Sequence, residues 1–147
     1  MQIPRETTTN ELKALLHQLS TSSNQGLRDE VRATGLQALQ LCADRLSPDE
    51  PETLLVKTVV AYNLRNQGLY SESEALDREV LEARRRLYGD EDEDTAESMG
   101  NLALDLKGLG RREEALGLEE EAVEVFRRVL GEDAEGTMVA RNNLANS

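Results

Sequence analysis

Leu102, Ala103 and Leu106 fall on one face of a 3.6-residue helical period, and Ala115, Leu118, Ala122, Val125 and Val129 fall on one face of the next. Two helices are therefore predicted, Thr95 to about Leu109 and Arg112 to Leu130. They are separated by Gly110 and closed by Gly131, residues free to adopt φ > 0 where a helix ends. Thr95 stands where a side-chain hydroxyl could cap the first of these helices, and Arg127 and Arg128 complement the C-terminal end of the second. The same pattern predicts helices near 10–20, 27–46, 53–67 and 70–88, and a last one from Thr137 to the end of the chain. Segments between the pairs are acidic or polar: Ser47 to Glu52, Gly89 to Asp94 and Gly131 to Gly136.

The helix pairs repeat. A shift of 42 residues superposes Gly26, Gly68 and Gly110; Glu30, Glu72 and Glu114; Thr53, Thr95 and Thr137; and Ala61, Ala103 and Ala145. Residues 59–100 and 101–142 share 12 identities in 42 positions, where composition alone gives roughly three. The first unit is divergent, with Ser47 in the place of the glycine that closes the later ones. Small residues such as Ala103 are expected where two helix backbones come close, since a larger side chain would push them apart. The expected organisation is one domain over 1–147: a divergent unit at about 10–50, clear units at about 53–94 and 95–136, and a partial terminal helix at 137–147.

Composition narrows the function. Aromatics are confined to Tyr62, Tyr70, Tyr88 and Phe126, so a core must come from Leu, Ala and Val. The net charge of −12 disfavours nucleic acid, whose phosphates need Lys and Arg, and equally disfavours anionic lipid. With no stretch of 15 apolar residues, neither a secretory signal nor a membrane span is expected. A single cysteine, Cys42, rules out an intrachain disulfide, and a cytoplasmic setting is expected.

The text Asn101-Leu102-Ala103, Leu106, Gly110, Glu113-Glu114-Ala115, Leu118, Glu121-Ala122 and Leu130-Gly131 resembles the tetratricopeptide repeat (TPR), in the 42-residue form of kinesin light chains. Unit two carries the same resemblance in Ala61, Leu64, Gly68, Tyr70, Glu72, Leu76, Glu79, Leu81 and Tyr88-Gly89, and Asn143-Leu144-Ala145 restate it at the end. It covers residues 50–147 well and 10–49 loosely. What it implies is an all-α fold, a right-handed superhelical stack of antiparallel helix pairs (a TPR-like α-solenoid), with first helices lining a groove that binds a protein or peptide. Carried over by repeat register, the groove contacts are Lys13, Tyr62, Arg65, Asn101, Leu104, Lys107, Asn142 and Asn143. Leu16, Ser20, Leu55, Thr58, Glu97, Gly100, Val139 and Asn146 occupy related positions. An Asn amide offers a donor and an acceptor, which suits a peptide backbone; the same groups can instead satisfy backbone within the stack. Some members of the family clamp a chaperone's C-terminal carboxylate with Lys, Arg and Asn. Here the matching positions carry Leu16, Ser20, Val59 and Glu97, so that role is not expected.

Catalytic and metal chemistry lack a constellation. His17 is the one histidine, Cys42 sits among apolar residues, and the two cannot make a zinc site. Asp90, Asp92 and Asp94 alternate as in a calcium loop, but Thr95 and Asn101 stand where the loop needs glycine and a bidentate acid. Gly108 and Gly110 lack the third glycine of a nucleotide fingerprint, and Arg84, Arg85 and Arg86 are expected to pair with nearby Glu. No cofactor, metal or enzymatic activity is expected. The expected role is a protein-interaction module or scaffold. The alternative is a repeat segment serving as sensor or regulatory subunit of a larger signalling ATPase or protease assembly. Met138 and Leu144 on the terminal helix are expected to leave apolar surface exposed, as an edge for a homodimer or for further repeats.

Overall fold

The computed structural model describes residues 2–147, and among them it holds seven α-helices and no strand: α1 (Arg5–Asn24), α2 (Arg28–Arg45), α3 (Pro51–Asn66), α4 (Tyr70–Tyr88), α5 (Glu93–Gly108), α6 (Arg112–Leu130) and α7 (Glu135–Ala145). The hydrophobic period locates every helix to within about two residues except α1. That helix starts five residues earlier, behind Pro4, and ends four later than the apolar pattern indicates. Its outer turns face inward through Thr8 and Ser22, both buried, and hydroxyl residues leave no trace in an apolar period.

Each turn from a first to a second helix closes in the same way. Gly68 has φ +76°; its N–H reaches the Arg65 carbonyl at 2.9 Å, and the Leu69 N–H reaches the Leu64 carbonyl at 3.0 Å. Gly110 repeats this at φ +80°, with bonds to Lys107 and Leu106. These paired bonds satisfy carbonyls that a helix end leaves bare, and they require a left-handed residue that only glycine adopts without strain.

The threonines at the 42-residue spacing do not cap their helices. Each helix begins two residues before its threonine, and the cap of α5 is Asp92, whose carboxylate accepts from the N–H groups of Asp94 at 2.9 Å and Thr95 at 3.2 Å. An ionised carboxylate also gains from the positive helix end, which favours Asp92 over a hydroxyl three residues later. Thr53 and Thr137 instead point back and donate to the carbonyls of Ser47 (2.8 Å) and Gly131 (2.7 Å), tying the start of a helix to the end of the one before. Thr95 is fully buried, and its hydroxyl has no hydrogen-bond partner among the described residues.

The chain forms two compact units, residues 1–76 and 77–147, with the division inside α4. In the first unit α1, α2 and α3 pack against one another around Leu12, Leu19, Val31, Val56, Val60 and Leu64, and Cys42 belongs to this core. Gly35 allows α2 to lie close on α3, because a β-carbon there would sit 2.9 Å from Val60 Cγ1. In the second unit α5 packs on α6, and α6 on α7, around Met99, Leu102, Leu106 and Val125, with Ala96, Ala103, Ala115 and Ala122 between them.

Ion pairs join successive second helices on the surface. Arg32 reaches Glu72 at 2.6 Å in the first unit; Arg78 reaches Glu114 at 2.8 Å and Arg85 reaches Glu121 at 3.2 Å in the second. Arg85 also holds Asp90 at 3.0 Å, so the basic run of α4 is occupied by pairing, and Arg84 donates to the Asp94 carbonyl and the Ser98 hydroxyl. The hydrogen bond from Arg78 lowers the Glu114 carboxyl below its ordinary value of 4.5, and that from Arg128 does the same for Glu91.

Two outcomes are expected. Ala103 is buried, so Ala103→Leu overpacks the α5–α6 contact by about 1–3 kcal/mol and should lower Tm by roughly 3–10 °C in a circular dichroism melt. The second concerns pH. A carboxyl lowered on folding stabilises above its unfolded value and stops doing so as pH falls through its folded value. Glu114→Gln should therefore reduce Tm at neutral pH, and its difference from wild type should close as pH falls below 4.5, the ordinary carboxyl value.

Candidate functional site

A cleft of about 530 Å³ opens in the second unit between α5, α6 and α7. Its floor is apolar: Ala96 from α5, Ala122, Phe126 and Leu130 from α6, and Ala140 from α7, with Leu104 and Val139 at its sides. Two amides, Asn101 on α5 and Asn143 on α7, line it as well, both half-buried. Glycines shape the walls. A β-carbon on Gly136 would come within 3.1 Å of Leu130 Cδ1 and 3.5 Å of Phe126 Cδ1, so its absence lets the first turn of α7 lie against the floor. Gly100 faces open space and leaves the α5 wall bare.

The charge of the lining is one-sided. Glu93, Glu97, Glu119 and Glu135 contribute carboxylates, and no Lys or Arg lines the cleft. Three of these acids are exposed, whereas Glu119 is only 3% accessible. Lys107 Nζ donates to Glu119 Oε2 at 2.8 Å and to the Asn143 carbonyl at 3.0 Å, and the Ser147 hydroxyl donates to Glu119 Oε1 at 2.6 Å. The buried carboxylate is thereby held on both oxygens, and the Lys107 ammonium bridges α5, α6 and α7.

The residues singled out from sequence distribute unevenly. Asn101, Leu104 and Asn143 meet in the cleft together with Glu97, Gly100 and Val139 from the related register positions, while Lys107 lies outside its lining with its charge directed at Glu119. Asn142 is exposed outside the lining. Lys13, Tyr62 and Arg65 belong to the first unit; Lys13 is exposed, and the Arg65 guanidinium stands 5.9 Å from the centroid of the exposed Tyr62 ring. On α7, Met138 is 53% accessible and Leu144 is half-buried. Sequence reasoning passed over Glu119, Phe126, Leu130 and Glu135. Glu119 had a signal: it lies four residues after Ala115 and three before Ala122, an acid set within an apolar stripe, and it is in repeat register with Asp77, which is also buried.

The tetratricopeptide repeat family model matches residues 52–127, just over half of the 147 residues. The chain belongs to the tetratricopeptide repeat family. Tetratricopeptide repeats generally mediate protein–protein interaction, and the fold is typically non-catalytic. Two solved structures are similar to this TPR chain. One is the nearly identical TPR-like repeats of a Podosopora anserina protein provisionally assigned as a kinesin light chain, with a TM-score of 0.81 at 19% identity over 92% of this chain and 64% of that one. The other is BtubC (BKLC) from P. vanneervenii, with a TM-score of 0.65 at 19% identity over 92% of this chain and 65% of that one. The TPR chain thus spans just under two thirds of the length of either, and at that identity the likeness shows the fold: an all-α, TPR-like solenoid of helix pairs. No curated protein matches it in sequence.

Removing one partner of the Lys107–Glu119 pair isolates a charge that burial has already stripped of water. Lys107→Met is expected to destabilise by about 1–3 kcal/mol in urea unfolding. The double variant Lys107→Met with Glu119→Leu should recover much of that loss, since removing both charges leaves neither one buried without its counter-ion.

Proposed function

We propose that the chain is a protein-interaction module and that it holds a segment of its partner in the cleft between α5, α6 and α7. The observation that carries this is the cleft's composition: an apolar floor flanked by the Asn101 and Asn143 amides, at first-helix positions of successive repeats. Apolar surface gives a partner side chain somewhere to be buried, and amides offer both a donor and an acceptor to its backbone. The module works without catalysis. The Cys42 thiol lies in the core of the first unit, where burial pushes its pKa up and away from the reactive thiolate, and His17 is exposed.

Affinity capture with mass spectrometry tests the assignment. The double variant Asn101→Ala with Leu104→Ala should lose the partner that wild type retains, with helicity unchanged by circular dichroism. Glu120→Lys, on an exposed position of α6 outside the cleft, should keep it. Loss of the partner on Glu120→Lys with retention by the cleft variant would place the interface elsewhere.

A further inference from the structure

The cleft's electrostatics say what its occupant must look like, given the reading that the cleft is the binding surface. Many acids of the second unit are neutralised by an arginine: Glu91 by Arg128, Glu114 by Arg78 and Arg111, Glu121 by Arg85 and Glu124 by Arg127. Glu93, Glu97 and Glu135, which edge the cleft, make no ion pair or side-chain hydrogen bond among the described residues. The positive ends of α5 and α7 account for part of this, since Glu93 and Glu135 stand in first turns. They do not account for Glu97, which lies a turn beyond and four residues from Glu93, where like charges repel. An unneutralised acidic edge therefore borders an apolar floor, and the desolvation that accompanies burial of a partner on that floor strengthens the field of the edge.

We propose that the cleft takes a peptide segment presenting a lysine or arginine beside an aliphatic or aromatic side chain. The apolar side chain rests on Phe126 between Leu104 and Val139, the cation meets Glu97 and Glu135, and the Asn101 and Asn143 amides take the segment's backbone. An acidic segment fits the floor equally well and is rejected by the edge, so the carboxylates supply specificity by repulsion as well as by attraction.

The test is selection from a random dodecapeptide library displayed on phage, against wild type, Glu97→Gln with Glu135→Gln, and Glu97→Lys. Wild type is expected to enrich peptides that join Lys or Arg to Leu, Ile or Phe. Fluorescence anisotropy on an enriched peptide should show affinity falling as salt rises from about 50 to 500 mM. The double Gln variant should weaken that peptide by at least about fivefold with Tm unchanged, and Glu97→Lys should shift enrichment toward acidic peptides. Enrichment of acidic or uncharged peptides by wild type would overturn the basic specificity and leave the interaction reading standing. Failure to enrich any peptide would remove both. Light scattering gives a further arm: a wild-type dimer that the double Gln variant abolishes would identify the occupant as a second copy of the chain and overturn the proposal.

Discussion

Close approach of helices at small buried residues is the constraint on which the structure depends. Ala96, Ala103, Ala115 and Ala122 are almost completely buried in the second unit, and Gly35 does the same service against Val60 in the first. Where side chains are this small, backbones come near enough for the larger Leu, Met and Val of neighbouring turns to interlock. In a core with few aromatics, Leu, Met and Val fill the space between the helices. The cleft follows from the same geometry. α5 and α7 both rest on α6, and the alanines and glycines that admit close packing below leave a floor broad enough for a guest side chain above.

Charge is distributed on a second principle. Arginines on α4 and α6 reach acids on neighbouring elements at partly exposed positions, where each pair contributes little alone but together they offset the repulsion of an acidic chain. Lys107 and Glu119 form a different kind of contact, largely withdrawn from water, with the ammonium also holding the carbonyl of Asn143. That arrangement fixes α7 to α5 and α6, and so fixes the distance across which Asn101 and Asn143 face the cleft. A lysine that repeat register assigns to the groove thus acts as a support for it, and the carboxylates at the edge are left without internal cations.

Much of the fold was legible because its determinants are local. The 42-residue period, the glycines at positive φ and the apolar stripes belong to single turns or single helix faces, and they located the helices. Local reasoning failed where competing groups stood close together in sequence. Thr95 and Asp92 both precede the same apolar stripe, and the carboxylate won the cap because the helix starts two residues earlier than the first apolar position suggests. The ends of α1 escaped for a related reason, since Thr8 and Ser22 face the core as polar residues.

The site divides along the same line. Sequence by itself determined the helix pairs, their repeat, the family resemblance and six residues of the cleft, Glu97, Gly100, Asn101, Leu104, Val139 and Asn143, because position within a repeat follows from counting. Tertiary structure alone decided that Lys107 turns to Glu119, that Phe126 and Leu130 form a floor, and that Glu93 and Glu135 edge it from segments that read as solvated connections. Each of these depends on which side chains of three helices share one volume and one patch of solvent. Such a relation is set by packing across 12 or more residues of chain, as between Lys107 and Glu119, and no single helix period encodes it.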